Sequence, residues 1–334
     1  MNTYIGHTIQ LSGVQVCRLE GGKAAGMRML RVRNGKGLDF EISLDRCADI
    51  VQLLVDGVNM SYITPAGYVH PSYYDKCGLG FLKSFTAGFC TTCGFNNVGN
   101  PCTDDGEEFG LHGTISNTPC ESYSFEETDD AIIIRAQVRD ASLFSHQLLL
   151  TRTYTVSKTS NNVILSDEIK NIGNQKSPVM LLYHCNMGYP LLSENAIVAI
   201  PHSGLTARNA HAQEDIENAL NMEEPQKGYE ERCYYYNVKA QKGIAKCGIF
   251  NPDINKGLIM SFDKDTLDYF TEWKMMGECE YVLGLEPGNC SPEGREFHHR
   301  EGTLKFVESG EIYSTHIQFE FTDSKEYFEA NMSI

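Results

Sequence analysis

The sequence predicts an all-β protein, one large and mostly antiparallel sandwich or barrel with minimal helix. Two observations carry this. Short runs of alternating apolar and polar residues recur along the chain with turn residues between them, the pattern of half-buried strands. Helical signal is confined to two short windows, and 30 Gly with a 10% aromatic share suit strands and turns.

Near the N-terminus, 27–32 alternates, Asn34-Gly35-Lys36-Gly37 turns the chain, and 40–44 alternates again. Runs 51–55 and 58–63 flank Asp56-Gly57, a strong hairpin signal. Further strand-like runs are 131–138, 148–156, 163–169, 179–183, 197–200, 233–239, 258–262, 281–285 and 312–321. The windows 212–224 and 265–273 each read as one short helix. No repeat, low-complexity tract or Pro/Ser-rich linker interrupts the chain, so 1–334 reads as one domain. The segment 67–117, rich in Gly, Tyr, Phe and Cys, is too apolar for a linker and reads as a long loop wrapping a site.

Composition excludes some partners. Lys and Arg number 28 against 44 Asp and Glu, a net charge of −16. Such a chain repels phosphate backbones and anionic membranes, so no nucleic acid and no membrane partner is expected. No apolar stretch approaches the ~20 residues of a membrane-spanning helix. The N-terminus lacks a basic region followed by an apolar run, so a cytoplasmic location is expected. The 12 Cys then read as reduced, mostly buried thiols rather than disulfides.

Three stretches place a titratable residue where a loop meets a strand. They are Phe109-Gly110-Leu111-His112-Gly113, Leu182-Tyr183-His184-Cys185-Asn186-Met187-Gly188-Tyr189-Pro190, and Leu283-Gly284-Leu285-Glu286-Pro287-Gly288-Asn289. Taken singly, each His can be a hydrogen-bonded structural residue and the Glu a turn residue. Their order is more telling. Together with Leu44-Asp45-Arg46-Cys47-Ala48-Asp49-Ile50, Thr91-Thr92-Cys93-Gly94 and Glu272-Trp273-Lys274, they resemble the galactose mutarotase-like (aldose 1-epimerase) superfamily. Within it the chain is most similar to a branch of mutarotase-related proteins, over about 25–320.

The resemblance implies a β-supersandwich with a sugar in an open cleft. It implies Glu286 as general base, His184 as general acid and His112 as a second histidine at the sugar. One segment departs from the family: His184 is followed by Cys185-Asn186-Met187 rather than an aromatic Tyr-Phe-Asn pattern, beside the sugar. The residue types suit the chemistry. A carboxylate of reference pKa ~4.3 can take the anomeric proton, and an imidazole of ~6.5 can protonate the ring oxygen. No metal or organic cofactor is required.

Asn186 stands among the candidate sugar contacts. Arg46 and Lys83 are candidate donors to hydroxyls, although Arg46 can equally pair with Asp45 or Asp49. Trp273 either stacks on a sugar face, with Lys274 beside it, or packs at the rim. Cys90 and Cys93 form one C-x-x-C with no second pair to complete a zinc site. His298-His299 reads as a solvated loop. Two further readings remain open: an epimerase or isomerase of a modified sugar or ketose on the same site, and a non-catalytic sugar-binding protein.

Overall fold

In the strand Gln147–Ser157 every second residue, from Leu148 to Val156, is buried while its neighbours are partly exposed. That period of two lays one face against a core. The computed structural model describes residues 3–333 and contains about 50% strand and 11% helix. A nine-stranded sheet holds Cys120–Glu127, Ala131–Ala141, Gln147–Ser157, Asn162–Asn171, Ile312–Thr322, Lys256–Asp263, Ile244–Asn251 and Ile197–Ala199 as neighbours in that order, with Ala240–Gln241 off its path. An eleven-stranded sheet runs Gly13–Arg18, Arg28–Arg33, Leu38–Ser43, Asp49–Val55, Cys90–Phe95, Met180–Met187, Glu280–Gly288, Tyr269–Gly277, Arg232–Val238 and His202–Ala207, with Val58–Asn59 beside it. Every ladder in both is antiparallel.

The two sheets share one apolar core, in which Leu150 and Val163 of one meet Leu181 and Leu285 of the other within a single contact cluster. A charged cluster crosses this interface. Arg152 is fully buried and donates to Asp167 (2.6 and 2.9 Å) on its own sheet. Across the gap it donates to Asp49 (2.7 Å), Thr92 (2.7 Å) and the Cys47 carbonyl (3.1 Å). Tyr183 donates back to Asp167 at 2.7 Å. Burial lowers the Arg152 pKa, but its neighbours together, Asp167 foremost, more than reverse this and hold it well above the usual arginine value.

The central strands of the larger sheet do not alternate in burial. Met180–Met187 is buried throughout, as is Glu280–Gly288 after its first residue. Both of their faces are covered. Leu181, Tyr183, Cys185, Leu283 and Leu285 face the shared core. The other face lies beneath two connections, 64–89 and 96–118, on either side of the strand Cys90–Phe95; the first carries the short 3-10 turns Pro71–Tyr73 and Gly80–Lys83, so the segment 67–117 is not one long loop.

The structure corrects three further sequence expectations. Window 265–273 is a turn leading into the strand Tyr269–Gly277, because alternation of core-facing Phe270, Glu272 and Lys274 outweighs its weak helical character. Window 212–224 holds only the helical turn Ala210–Gln213 and the 3-10 turn Ile216–Asn218. His298-His299 lies in the helix Arg295–Arg300, not a solvated loop, and His298 is fully buried against Ser291 and Thr303. All twelve cysteines are free. Among the described residues no helix is long and apolar enough to cross a membrane.

Arg152→Met strands two buried carboxylates without their cation. Urea unfolding should show a loss of about 3–5 kcal/mol, the usual effect of removing one partner from a buried ion pair. A loss below ~1 kcal/mol would mean that the sheets are held by apolar contact alone.

Candidate active site

On Met180–Met187 the even residues Leu182, His184 and Asn186 point away from the shared core, because the odd ones belong to it. The same rule turns Glu286 and Gly284 of one neighbouring strand outward, and Thr271, Trp273 and Met275 of the next. Their register sets Thr271 opposite Glu286, Trp273 opposite Gly284 and Met275 opposite Val282. Gly284 is needed between them: a Cβ there would lie 2.4 Å from Glu286 Oε1 and 2.9 Å from Trp273 Cβ.

Over this floor the connections 64–89 and 96–118 close a cleft of about 320 Å³. Phe81, Phe85 and Leu111 form its apolar wall, His184 and Glu286 its floor, and His112 and Arg208 its far side. His112 adopts φ +58°, an uncommon conformation for a residue with a side chain, held by its amide on the Gly99 carbonyl and its carbonyl on the Gly94 amide, both at 3.0 Å. Gly113 follows at φ +69°, where a Cβ would meet the Gly94 carbonyl at 2.4 Å.

The three sequence-predicted catalytic residues converge. His184 Nδ1 lies 3.2 Å from Glu286 Oε1, and the His112 and His184 rings are 5.5 Å apart. Trp273 and Phe85 pack on His184 at 5.2 and 5.3 Å between ring centres.

Hydrogen-bond inventory assigns the tautomers. Asn186 Nδ2 donates to the Gly88 and His184 carbonyls at 3.1 and 2.8 Å, so Asn186 Oδ1 is an acceptor. His184 Nδ1, 2.6 Å from it, therefore carries a hydrogen, and Nε2 is bare in the neutral ring. For His112 the logic is reversed. Nδ1 accepts from the Gly99 amide at 3.3 Å, leaving an Nε2–H donor.

Burial dominates the electrostatics. It pushes the Glu286 pKa well above the usual carboxylate value, with the Glu231 charge adding to the rise and Arg208 opposing it. Burial lowers His184 to about 4, against a partial offset from Asn186, and lowers His112 well below its usual value. Burial thus favours a neutral carboxylic acid beside a neutral imidazole. Glu286 Oε1 and Thr271 Oγ1 are buried without a hydrogen-bond partner. Both are among the groups that a polar ligand in the cleft would satisfy.

The remaining predicted contacts divide. Trp273 lines the cleft, its indole N–H fixed on Glu231 at 2.7 Å. Asn186 is fully buried beneath His184 and orients the imidazole. Lys274 does not reach the cleft, because the residue after Trp273 points to the opposite face. Its ammonium binds the Asn218 and Asn221 carbonyls at 3.1 and 2.6 Å and Glu223 at 3.2 Å. Arg46 is buried against the Val69 carbonyl at 3.1 Å, and burial lowers its pKa to about 10. Lys83 is solvent-exposed and pairs with Asp75 at 2.8 Å, which ties the loop's own turn.

Sequence reasoning missed Arg208, Glu231 and Thr271. Arg208 follows the strand His202–Ala207 and is aimed by Glu293 (2.9 Å) and Asn100 (2.9 Å). Only a tertiary contact marks it, so no local signal could have found it. Thr271 was open to discovery through its two-residue spacing from Trp273.

A larger cavity, about 660 Å³, lies behind the same connections and includes Asp140 and His146. It contains none of the residues that converge on Glu286.

Two large antiparallel sheets arranged in this way make the galactose mutarotase-like fold. The chain belongs to the family described as a domain of unknown function, DUF4432, whose pattern matches residues 24–321. The fold is similar to that of a Klebsiella pneumoniae protein provisionally named an aldose 1-epimerase, with 23% identity, a TM-score of 0.92, and coverage of 97% of this chain and 88% of that one. It is also similar to a galactose mutarotase-like protein from Clostridium acetobutylicum (13% identity, TM-score 0.69, 94% and 100% covered). A galactose 1-epimerase from Lactobacillus acidophilus is a more distant likeness (13%, TM-score 0.58, 93% and 98%). No curated protein sequence matches the chain. At these identities the likeness concerns the fold.

The histidine assignment has a direct check. Proton–nitrogen NMR of the ligand-free protein should find His184 neutral and protonated at Nδ1 from neutral pH down to about 4. Titration of His184 near ~6.5, the unperturbed value, would contradict the buried neutral pair.

Proposed function

We propose that the protein is an aldose 1-epimerase, interconverting the anomers of a free sugar without a metal or organic cofactor. The observation that carries this reading is the pairing of Glu286 with His184, 3.2 Å apart at the floor of a cleft, with an unpartnered carboxyl oxygen. Opening a pyranose needs one base at the anomeric hydroxyl and one acid at the ring oxygen. A pair that holds one proton between its two members supplies both.

On sugar binding the proton that burial keeps on Glu286 passes through the bound sugar's hydroxyls to the bare His184 Nε2, leaving a carboxylate and an imidazolium. Glu286 then takes the anomeric proton as His184 Nε2–H protonates the ring oxygen. The open aldehyde rotates about C1–C2, and the two groups exchange roles on closure. Sugar hydroxyls bring Glu286 the hydrogen bonds that its carboxylate lacks, which favours release of the stored proton. His112 Nε2–H and Thr271 Oγ1 are donors for neighbouring hydroxyls. Asn186 acts as a positioning residue that fixes the His184 ring, and Arg208 lies within the same cleft. The similar fold of the Lactobacillus galactose 1-epimerase supports the reading.

Glu286→Gln keeps the shape and removes the base; His184→Asn removes the acid. Each should lower kcat about 10²- to 10⁴-fold, measured as anomer exchange by NMR or polarimetry across aldoses, with KM changing far less. Parental rates in both variants, or a wild type that binds sugar without accelerating exchange, would sink the enzyme reading in favour of a sugar-binding protein.

The pH profile follows from the shared proton. Below about 4 His184 takes a second proton, and above the raised pKa of Glu286 the pair has none. The kcat/KM profile should therefore fall on the acid side near pH 4 and, on the alkaline side, only above the raised value of Glu286. A pair with ordinary values of ~4.3 and ~6.5 would instead decline above ~6.5.

A further inference from the structure

The cleft floor continues past Trp273. The two-strand ladder steps from Thr271 and Glu286 to Trp273 and Gly284, then to Met275 and Val282. Each step of two residues advances roughly 6.7 Å, so Val282 stands roughly 13 Å along the strand from Glu286. At that end lies an annex of about 480 Å³ that shares Leu82, Phe85, Glu231 and Trp273 with the reaction cleft. Tyr62, Pro65, Met275 and Val282 give it apolar walls. Leu82, at the junction, is 55% exposed, a large apolar side chain with nothing over it.

We propose that this annex is the subsite for the second ring of a reducing disaccharide, which makes such a disaccharide the preferred substrate. The inference rests on the anomer-exchange reading in one respect: a free anomeric centre must sit at Glu286 and His184. Any further part of the substrate then leaves from the end of the ring remote from C1. The ladder extends from Glu286 farther than one pyranose ring reaches.

The lining matches a sugar better than its rivals. A pyranose has C–H faces and hydroxyl edges, and the annex sets apolar Met275, Val282 and Trp273 against polar Thr64, Glu231 and Glu280. An anionic substituent would meet two carboxylates there. An alkyl chain would cover Glu231 and Glu280 while offering neither a hydrogen bond.

Trp273 lines both compartments and is the only Trp of the chain, so its fluorescence reports binding without turnover. Titrations with maltose, cellobiose and lactose are set against glucose, with 6-O-octanoylglucose as an alkyl control. At least one disaccharide should bind about 10-fold or more tightly than glucose, the scale of a filled apolar subsite. Met275→Arg and the exposed Leu82→Arg should each bring that ratio to within about twofold of unity. Disaccharides that bind no tighter than glucose overturn the proposal. So does a ratio that survives both substitutions in folded protein, or an octanoyl sugar that outbinds every disaccharide. Anomer exchange recorded on the same samples separates the two claims. A preserved binding preference without exchange contradicts the epimerase reading and leaves the subsite standing, while exchange of glucose without a preference does the reverse.

Discussion

The site depends on a buried guanidinium that lies against the opposite face of the site's own sheet. Arg152 joins Asp167 on one sheet to Asp49 and Thr92 on the other, with Tyr183 bonded to the same carboxylate. Such a group is tolerated inside an apolar core only because its charge and donors are matched. Desolvation raises the Asp49 pKa, and Arg152 pulls it back. Tyr183 precedes His184, and Thr92 pairs with Tyr183 in the sheet register as Thr91 does with His184. The cluster therefore clamps the core face of the strand whose opposite face presents the imidazole. A strand held on one side by ions and on the other by the connections 64–89 and 96–118 has little freedom to misplace His184.

Much of the fold was legible because alternation is a local property. The run 148–156 and the hairpin around Asp56-Gly57 lie where their patterns put them. The sequence signal failed where burial on both faces removes alternation, as in Cys90–Phe95, or where short-range helical character competes, as in 265–273. His298 shows the limit from the other direction, since its partners Ser291 and Thr303 are set by a helix too short to announce itself.

The candidate site was partly legible through ordered motifs rather than through spacing. His112, His184 and Glu286 are far apart in the chain and meet only in the folded sheet. Two motifs that marked the resemblance serve stability instead: Asp49 and Thr92 bind Arg152, while Arg46 is turned to the Val69 carbonyl. Lys274 reads as a neighbour of Trp273 in the chain, yet on a strand neighbours face opposite sides. Arg208 and Glu231 enter through tertiary contacts that no sequence window contains. The distinctive Cys185-Asn186-Met187 segment finds a role in Asn186, which fixes the imidazole from below rather than touching the cleft.

Removing water from Glu286 and His184 gives the pair its character. Burial disfavours the charged form of each, so one proton is stored between two neutral groups until a polar ligand arrives. The central claim is that this ligand is a sugar whose anomeric carbon lies at the pair. A crystal structure of Glu286→Gln with a reducing sugar tests it most directly. The account predicts the anomeric hydroxyl within hydrogen-bond distance of residue 286 and the ring oxygen facing His184 Nε2. A sugar bound with C1 toward solvent, or bound outside the cleft beneath 64–89 and 96–118, would contradict it.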